Sequence, residues 1–450
     1  MIDLPTLAAI RYGYGLPRAK AEATPEAMLA RLAGPDEMAQ RHPSLGVAET
    51  LPLVAAVIEA RKASRKNAAM RADYKAAIRA VTIASETGMR VQFARALDAE
   101  DGFRERLTAF WADHFTTKAR SAAERPLPDA HIHDAIRPNL TGRFADMLIA
   151  STLHPAMLAY LDQSASVGPK SPFGKRRGRG LNENLAREVM ELQSLGVSAS
   201  YSQLDVRQMA LLLTGLNANP RDGFVFQPNR AEPGSETVLG NTYGGEGLAP
   251  IKAALTDLAR RPETAAHIAG KLARHFVSDT PDPGLVAAMT AAYHDHDGAL
   301  MPVYAAMLAH PAAWEPKLSK ARQPVDFIIA ALRACDITGD GLRQMARGPF
   351  LRMVLRPMGL MGQIWQQPNG PDGWPEEAET WITPQGLGAR IAWAMEVPGR
   401  LMVPMPDPVA FAKRALGPAA DERLLWAVAR AQSKREGVGL VLASPGFNRR

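Results

Sequence analysis

The polar segment Asn182–Val197 combines the residue types and spacings that acid–base chemistry requires. Glu188 and Glu191 are three residues apart, so in a helix their carboxylates share one face. Arg187 stands beside them, where its guanidinium group would hold the negative charge of a substrate. General acid–base catalysis also needs a proton donor within hydrogen-bond reach. His114 is the best placed histidine for that role, although a histidine in an aromatic segment is more often a core residue with its hydrogen bonds satisfied.

Two interpretations of these charges stay open. In the first, they form a solvated helix face with local ion pairs, such as Glu183 with Arg187 four residues later. In the second, Glu188 and Glu191 lie in a buried cluster with a cation or a histidine, because an isolated buried carboxylate is too costly. An enzyme built this way would use Glu188 or Glu191 as general base, with His114 as acid, on an anionic or glycan substrate.

The spacing predicts one helix that carries these side chains and ends at Gly196. Its apolar residues recur every three or four positions, at Leu185, Val189, Leu192 and Leu195. Asn182 is a competent N-cap, and Gly196 can adopt the positive φ of a helix end. Asn182 and Asn184, at the start of the helix, are candidate substrate-binding residues.

A basic, glycine-rich segment, residues 165–181, comes directly before this helix and is predicted to be a flexible loop. Arg176 and Arg177 are its candidate ligand-binding residues, because a basic loop before a helix amino terminus can hold an anion. The segment lacks the fixed glycine–lysine–serine order of a phosphate-binding loop. A solvated loop without a ligand is therefore the alternative interpretation.

A second unusual segment, residues 361–384, is rich in tryptophan, proline and glycine and is predicted to be a rigid loop. Trp365, Trp374 and Trp381 lie in or beside it, and they are candidate substrate-binding residues. Tryptophan and glutamine side chains suit the wall of a sugar or peptide site. They suit equally a loop that plugs a helical bundle, so the sequence leaves the two alternatives open.

Helical spacing dominates the rest of the chain, and we expect an all-α fold, a large multi-helix globular bundle with one small β-hairpin insertion. The insertion is predicted at residues 217–247. There, two short apolar runs, Phe224–Phe226 and Thr237–Leu239, flank the turn sequence Glu232–Ser235. Chain length alone would suggest two or three domains.

Composition restricts the class of protein and its compartment. The chain has 450 residues, of which 46% are hydrophobic and 22% charged, as in ordinary soluble globular proteins. A net charge of +7 is mild for this length, so we do not expect nucleic-acid binding. No apolar run is long enough to span a membrane. The first residues, Met1–Pro5, do not resemble a signal peptide, so a cytoplasmic location is expected.

The sequence has no motif for a metal ion or another cofactor, and we predict neither. Cys335, the single cysteine, lies in an apolar helical run and is expected to be buried. His131 and His133 are two residues apart, as are His294 and His296. Side chains at that spacing point apart on a helix, which makes each pair a poor metal site.

Taken together, these segments resemble the bacterial domain-of-unknown-function family 1800 over essentially the whole chain. The most specific motif is N-E-N-x-A-R-E-x-x-E-L-x-x-L-G-V, which runs from Asn182 to Val197. The supporting segments are, in chain order, Phe110–Phe115, His154–Met157, Tyr201–Val206, Leu213–Gly215, His275–Asp279, Gln367–Pro375 and Leu442–Pro445.

The resemblance implies a single helical domain over residues 1–450 and a role shared with a partner. Members of the family are often encoded beside a sulfatase-like protein that carries an export signal. We therefore expect a binding or assembly partner of such a protein, and export together with it is the alternative to a cytoplasmic location. The runner-up hypothesis is a hydrolase that acts on an anionic or glycan substrate.

One departure from the family pattern weakens the enzyme hypothesis. Relatives tend to carry a histidine–aspartate pair before the glycine turn of the hairpin, whereas this chain has Ala231 and Glu232 there. A catalytic role of that histidine in relatives would be lost in this chain. The sequence also lacks a recognisable nucleophile motif. A binding role is therefore slightly preferred.

Overall fold

The protein is mainly α-helical, as the spacing of its apolar residues predicts. The computed structural model describes residues 2–17, 23–178 and 180–450. Within these ranges the all-α prediction is confirmed, because the strands form only two small antiparallel sheets. No helix of the described ranges combines the length and the apolar composition that a membrane-spanning segment needs.

The helices before residue 165 include the two that carry most of the site described below. In chain order they are α1 (Leu4–Arg11), α2 (Pro25–Ala33), α3 (Glu37–Arg41), α4 (Val47–Lys66), α5 (Arg71–Asp98), α6 (Phe103–His114), α7 (Leu127–His131), α8 (Phe144–Thr152) and α9 (Pro155–Tyr160). Side chains that accept a hydrogen bond from a first-turn amide fix several of their starts, for example Asp3 before α1 and Thr24 before α2. His154 caps α9 in the same way, and Pro155 follows it as predicted.

The middle of the chain contains all four strands. Its elements are α10 (Pro172–Arg177), α11 (Asn184–Glu191), α12 (Gln203–Leu212), β1 (Leu216–Asn219), β2 (Gly223–Phe226), β3 (Ser235–Val238), β4 (Asn241–Gly244), α13 (Ala249–Ala259), α14 (Pro262–Phe276), α15 (Pro283–Asp295) and α16 (Leu300–Ala309). A serine and a carboxylate start α12 through a capping box, in which Ser202 and Asp205 bond each other's amide groups.

The last part of the chain is made of shorter helices around α17. They are α17 (Pro324–Ala334), α18 (Gly339–Gln344), α19 (Arg347–Phe350), α20 (Arg356–Leu360), α21 (Ala378–Trp381), α22 (Pro384–Glu396), α23 (Pro398–Leu401), α24 (Pro408–Leu416), α25 (Glu422–Val428), α26 (Lys434–Ala443) and α27 (Pro445–Asn448). Many have proline at one of their first two positions, where its missing N–H costs nothing. Cys335 follows α17 and is buried, as predicted.

The β insertion differs from its prediction, because it contains two hairpins and not one. β1 pairs with β2, and β3 pairs with β4, each antiparallel. The two apolar runs that were expected to pair with each other, Phe224–Phe226 and Thr237–Leu239, therefore belong to different hairpins. The predicted turn around Gly234 connects the hairpins instead. The true turns are Pro220–Asp222 and Leu239–Gly240, and both residues of the second turn have positive φ.

The two predicted loops each contain a helix. In residues 165–181, α10 begins after Ser171, whose hydroxyl accepts from the Gly174 amide, and it ends at Gly178 with φ +62°. Arg179 lies outside the described residues. In residues 361–384, α21 occupies the end of the segment, and the residues between α20 and α21 contain no further helix.

Two hydrophobic cores meet along α5 and α6. The first core contains one face of α6, including Trp111, and the helices from α8 to α16. The second core contains the end of α5, including Phe93, together with α17 and most of the later helices. The opposite face of α6 is polar and belongs to neither core. It faces the boundary between the cores, and this position determines where the candidate site lies.

Candidate ligand-binding site

The helix that carries the predicted acid–base residues, α11, is shorter than expected. It begins at Asn184, and Asn182 is not its N-cap; the Asn182 side chain instead accepts a hydrogen bond from the Asn184 amide at 3.1 Å. After the last residue of α11 the turn widens, because the Gln193 amide donates to the Glu188 carbonyl at 2.9 Å. Gly196 then adopts φ +87°, as predicted.

The charged side chains of α11 pair mainly with each other. Arg187 lies 3.6 Å from Glu183 and 3.1 Å from Glu191, each four residues away. Glu188 is half-buried, and no cation of the described residues forms an ion pair with it. Burial, Glu191 and Asp372 raise the pKa of Glu188 to about 7, against the opposing charge of Arg187. The ion pairs fit the solvated face of the first interpretation, and Glu188 lacks, among the described residues, the cation or histidine partner that the second interpretation requires.

His114 is not brought into contact with these carboxylates. Its Nε2 is 3.1 Å from the Gln193 carbonyl, and its ring stacks on Phe110. Burial and the charge of Lys271 hold the pKa of His114 well below its usual value, so the ring is neutral. Within the described residues it forms no hydrogen bond with Glu188. His114 therefore behaves as a buried structural histidine at the end of α11.

The other polar candidates are dispersed. Arg176 and Arg177 are exposed at the end of α10, where Arg176 lies 5.8 Å from the ring of Phe173. Asn182 uses its Nδ2 on two main-chain carbonyls at the end of α9, so its role is to join α9 to α11. Asn184 is exposed. None of these side chains takes part in the cavity described next.

The three tryptophans divide between a cavity and the protein core. Trp365 and Trp374 line a cavity of about 140 Å³. Trp381 is 1% exposed, and its indole N–H donates to the Pro375 carbonyl at 2.9 Å, so it packs behind Trp374 and holds the loop. The first two tryptophans therefore line a cavity, and that they bind a substrate stays a prediction; Trp381 packs in the interior, as the plug interpretation expects.

This cavity lies at the boundary between the two cores. Most of its wall comes from α5, α6, the start of α17 and residues 363–376, which we call the cover loop. Its apolar lining includes Phe93, Ile132, Val325, Ile329 and Met358. Its charged lining is Arg95, Glu105, Arg106, Asp113, Arg137, Asp326 and Glu376. An exposed alanine, Ala109, sits in the α6 wall and indicates that the cavity is open to solvent there.

Asp113 fixes the cover loop to the end of α6. Its carboxylate oxygens accept the Trp374 amide at 3.0 and 3.1 Å. Gly373 has φ +83°, and a Cβ atom there would lie 2.6 Å from an Asp113 oxygen, so only glycine allows this contact. Burial raises the pKa of Asp113 to about 7, although the nearby charge of Lys271 opposes the shift.

A second anchor of the cover loop is Glu376. The Nδ1–H of His275 donates to its carboxylate at 2.5 Å, and Lys320 lies 3.1 Å away. Burial opposes ionisation, but His275 and Lys320 hold the pKa of Glu376 well below its usual value. Burial lowers the pKa of His275 to about 4. A neutral ring fits the hydrogen bonds, since its Nε2 accepts from Arg106 at 3.1 Å while Lys320 supplies the charge.

Asp326 organises the arginines behind the cavity. Arg106 pairs with it at 2.5 Å, and Arg450 approaches it at 3.5 Å. Burial by itself would raise the pKa of Asp326, but these two guanidinium groups lower it. All three side chains are nearly inaccessible to solvent. Such pairs are expensive to break, because removal of one partner leaves a buried charge without compensation.

Arg95 is the exception among the charged groups of the wall. It is 2% exposed, and its single hydrogen bond runs from Nε to the His42 carbonyl at 2.9 Å. No carboxylate of the described residues forms an ion pair with it, and its Nη2 has no partner. The indole N–H of Trp365 and the Nε of Arg106 also lack acceptors. Burial lowers the pKa of Arg95 to about 10, so it stays charged at neutral pH.

Sequence reasoning missed most of this wall, although three of the family motifs that it named contribute to it. The family motifs Phe110–Phe115, His275–Asp279 and Gln367–Pro375 meet through Asp113, His275 and the cover loop. Arg95 drew no attention because it lies in an alanine-rich helix. The sequence around Arg95 does contain a signal, because Gln92 and Arg95 interrupt the apolar run from 91 to 97. Polar side chains are rarely fully buried, so their presence in such a run indicates a structural or functional role.

The chemistry of the site is that of charge and hydrogen bonding. No group of three or more His, Cys, Asp and Glu side chains with the arrangement of a metal site occurs among the residues that the structure describes. His131 instead bonds the Ser151 hydroxyl at 2.8 Å, and His294 and His296 are exposed. The wall can therefore hold an anion through guanidinium and indole N–H donors, with an apolar surface beside them.

Comparison with known proteins gives a family but no characterised relative. A family model described as "Protein of unknown function (DUF1800)" matches residues 8–449, which is nearly the whole chain. No curated protein matches the chain, and no solved structure matches it either. The family motifs quoted above thus point to the right family, while the role of the cavity has to be argued from its own residues.

Proposed function

Because this chain belongs to the DUF1800 family of proteins of unknown function, we propose its role from the residues of its own cavity. It is a binding protein that holds a small anionic ligand in the cavity beneath the cover loop. The observation that supports this most strongly is Arg95, a buried arginine in the cavity wall without a carboxylate partner among the described residues. A ligand anion would supply the missing negative charge.

The energetic argument is that an unpaired buried cation is costly. Transfer of a charged group from water to a protein interior costs several kcal/mol, on the order of 3 kcal/mol or more after relaxation. The neighbouring arginine Arg137 avoids this cost through Glu105, with which it pairs at 2.6 Å. Arg95 has no such partner among the described residues, and its Nη2 has no hydrogen-bond acceptor there, so a ligand anion in the cavity would reduce this cost.

Binding is preferred to catalysis because the reactive groups of the wall are already occupied. His275 is held between Arg106 and Glu376, and Asp326 is held by Arg106. A general base must be free to take a proton from a substrate. The carboxylate of Asp113 accepts the Trp374 amide. Arg95 and Trp365 each keep an N–H without an acceptor among the described residues, which suits recognition of an anion.

Extraction of the bound ligand tests this proposal. The purified full-length protein is denatured, and the released small molecules are identified by mass spectrometry. We expect an anion in near-stoichiometric amount from the native sequence and from the control Arg79→Gln, which changes an exposed arginine of α5. Arg95→Gln should release at least tenfold less. Equal amounts of the same compound from Arg95→Gln would overturn the proposal.

A partnered role, which the family resemblance implied, is proposed alongside ligand binding. We propose that the protein forms a stable complex with a sulfatase-like exported protein. The exposed basic end of α10, with Lys175, Arg176 and Arg177, supports an interaction with an acidic surface.

Co-expression of the two proteins followed by size-exclusion chromatography tests the proposed complex. The complex should survive at low salt, and the double change Arg176→Glu with Arg177→Glu should weaken it; two separate peaks for the native pair would contradict the proposal.

A second candidate, hydrolysis of an anionic or glycan substrate, is favoured by Glu188. Its pKa of about 7 is that of a usable general acid or base, and Asp372 and Glu191 are the nearby carboxylates that raise it. Arg187 would hold substrate charge, whereas the neutral, engaged His114 would not serve as the acid. Glu188→Gln should abolish turnover of a polymer substrate and leave the Tm within about 2 °C. A lowered Tm without loss of turnover would make Glu188 structural.

A further inference from the structure

We propose that the ligand of the cavity is a monocarboxylate with a compact apolar body, bound with its carboxylate group against the guanidinium of Arg95. The ligand class rests on the proposed function, since it assumes that the cavity holds an anion. Three properties of the wall define the class: the charge that is left unpaired, the donors that are left free, and the volume and polarity of the space beside them.

The unpaired charge limits the ligand to one negative charge. The other arginines of the wall, Arg106 and Arg137, each pair with a carboxylate of the protein. Glu376 is likewise paired, with Lys320. Arg95 remains the one cation of the charged lining without an ion pair in the described residues. A dianion such as a phosphate monoester would bring a second negative charge next to the carboxylates of the wall, where like charges repel strongly.

The free donors fit a carboxylate headgroup. The Nε of Arg95 donates to the His42 carbonyl, whereas no hydrogen bond joins either terminal nitrogen to a residue that the structure describes, and Nη2 is buried without an acceptor. The two terminal nitrogens of a guanidinium group match the two oxygens of a carboxylate in a planar, two-pronged pair. The Trp365 indole N–H, also without an acceptor, is a further donor in the same wall. A neutral ligand of the same shape would leave the Arg95 charge uncompensated.

The remaining lining sets the size and polarity of the ligand body. Phe93, Ile132, Val325, Ile329 and Met358 surround much of the space with apolar atoms. The volume of about 140 Å³ is close to that of an engineered protein cavity of about 150 Å³ that binds benzene. A carboxylate with a body of about six non-hydrogen atoms therefore fits, whereas a disaccharide or a nucleotide does not. Benzoate is the simplest probe that meets all three conditions.

Calorimetric titration of the full-length protein with matched probes tests the class. Benzoate carries one charge, benzamide is its neutral analogue of the same shape, and phenyl phosphate keeps the ring but has a larger charge. We expect benzoate to bind at least tenfold more tightly than either of the other two. Benzamide binding as well as benzoate, or phenyl phosphate binding more tightly, would overturn the monocarboxylate assignment.

Two variants connect the binding to the cavity. Arg95→Lys keeps the charge but removes the two-pronged pair, and it should weaken benzoate binding at least tenfold while Arg79→Gln leaves it unchanged. Ala109→Phe places a ring at the exposed position of the α6 wall and should also block benzoate, without removing any charged group. If Arg95→Lys does not fold, Ala109→Phe still tests whether benzoate binds in this cavity. Undiminished benzoate binding by a folded Ala109→Phe protein would contradict a site in this cavity.

The outcomes also separate the ligand class from the proposed function. If benzamide or phenyl phosphate binds best and Arg95→Lys abolishes that binding, the cavity is a ligand site but the class is wrong. If no probe binds and denaturation releases no small molecule from the native protein, the proposed function itself fails. If benzoate binds and the extracted ligand is a monocarboxylate, both statements are supported.

Discussion

The face of α11 and the wall of the cavity both contain arginines and carboxylates, but they pair these charges in different ways. On α11, Arg187 meets Glu183 and Glu191, each four residues away along the helix. In the cavity wall, Arg106 meets Asp326 across 220 residues of sequence. Local pairs follow from helix geometry alone, whereas the cavity pairs exist only once the two cores have come together.

The two regions also differ in exposure, and exposure decides what each pair contributes. The Arg187 and Glu191 side chains are 38% and 23% exposed, so water and salt weaken their attraction. The Arg106 and Asp326 side chains are 1% and 6% exposed. A buried pair gains little net stability when made, but it costs much when one partner is removed. The comparison therefore predicts a ranked series of effects.

The largest effect is expected from Asp326→Ala. The change leaves the guanidinium groups of Arg106 and Arg450 in the interior without their carboxylate, and we expect a loss of about 3–5 kcal/mol in the free energy of unfolding. Urea denaturation of the purified protein measures it. As a control, the double change Asp326→Ala with Arg106→Met should recover part of the loss, because it removes one of the stranded charges. A loss below about 1 kcal/mol would mean that water reaches this cluster freely.

A smaller effect, of the order of 2 kcal/mol, is expected from Asp113→Asn, and it should depend on pH. The pKa of Asp113 is raised from its ordinary value to about 7 in the folded protein. The unfolded chain therefore releases this proton at lower pH than the folded one, and the ionised group destabilises the fold as pH rises from about 4 to about 7. Its partial exposure to the cavity makes the effect smaller than the full shift implies.

Asparagine keeps an oxygen that can accept the Trp374 amide but cannot ionise. The variant and the native protein should therefore have similar unfolding free energies at pH 4, and the variant should be the more stable at pH 8. Chemical denaturation at a series of pH values measures the difference. Asp73→Asn, at the exposed start of α5, is the control and should show no such trend. If the stability of Asp113→Asn relative to the native protein instead fell as pH rises, the raised pKa of Asp113 would be contradicted.

Gly373→Ala should lower the free energy of unfolding by about 1–2 kcal/mol, because alanine is strained at φ +83° and its Cβ would collide with Asp113. Gly362→Ala is a matched control in the same segment. It also has positive φ, at +101°, but open space around its Cβ, so it isolates the backbone strain. Gly373→Ala should cost more and should also weaken benzoate binding. Equal losses of unfolding free energy for the two changes would mean that the cover loop can move away from Asp113 without an energetic penalty.

How much of the molecule the sequence predicts follows from the same contrast between local and distant contacts. Most of the helical structure, the Glu183–Arg187 pair and the positive φ of Gly196 depend on neighbours within a few residues, and they were predicted. The helices α10 and α21 lie in segments that were predicted to be loops. The pairing of β2 depended on choosing between two nearby partners, and the wrong one was chosen. The contact of Asp113 with Trp374 spans 261 residues, and no spacing rule reaches that far. The family motifs named the segments without indicating that they meet.

The smallest effect is expected from Arg187→Ala on the exposed face of α11. Its two ion pairs are accessible to water, so we expect the free energy of unfolding to fall by less than about 1 kcal/mol. The difference from the native protein should shrink further in 1 M sodium chloride, where the screening length is about 3 Å. Urea denaturation at two salt concentrations measures both values. If the free energy of unfolding instead fell by about 3 kcal/mol at both salt concentrations, the ion pairs of α11 would behave like the buried pairs of the cavity wall. The hydrolase hypothesis would then gain the buried charge cluster around Glu188 that it lacks.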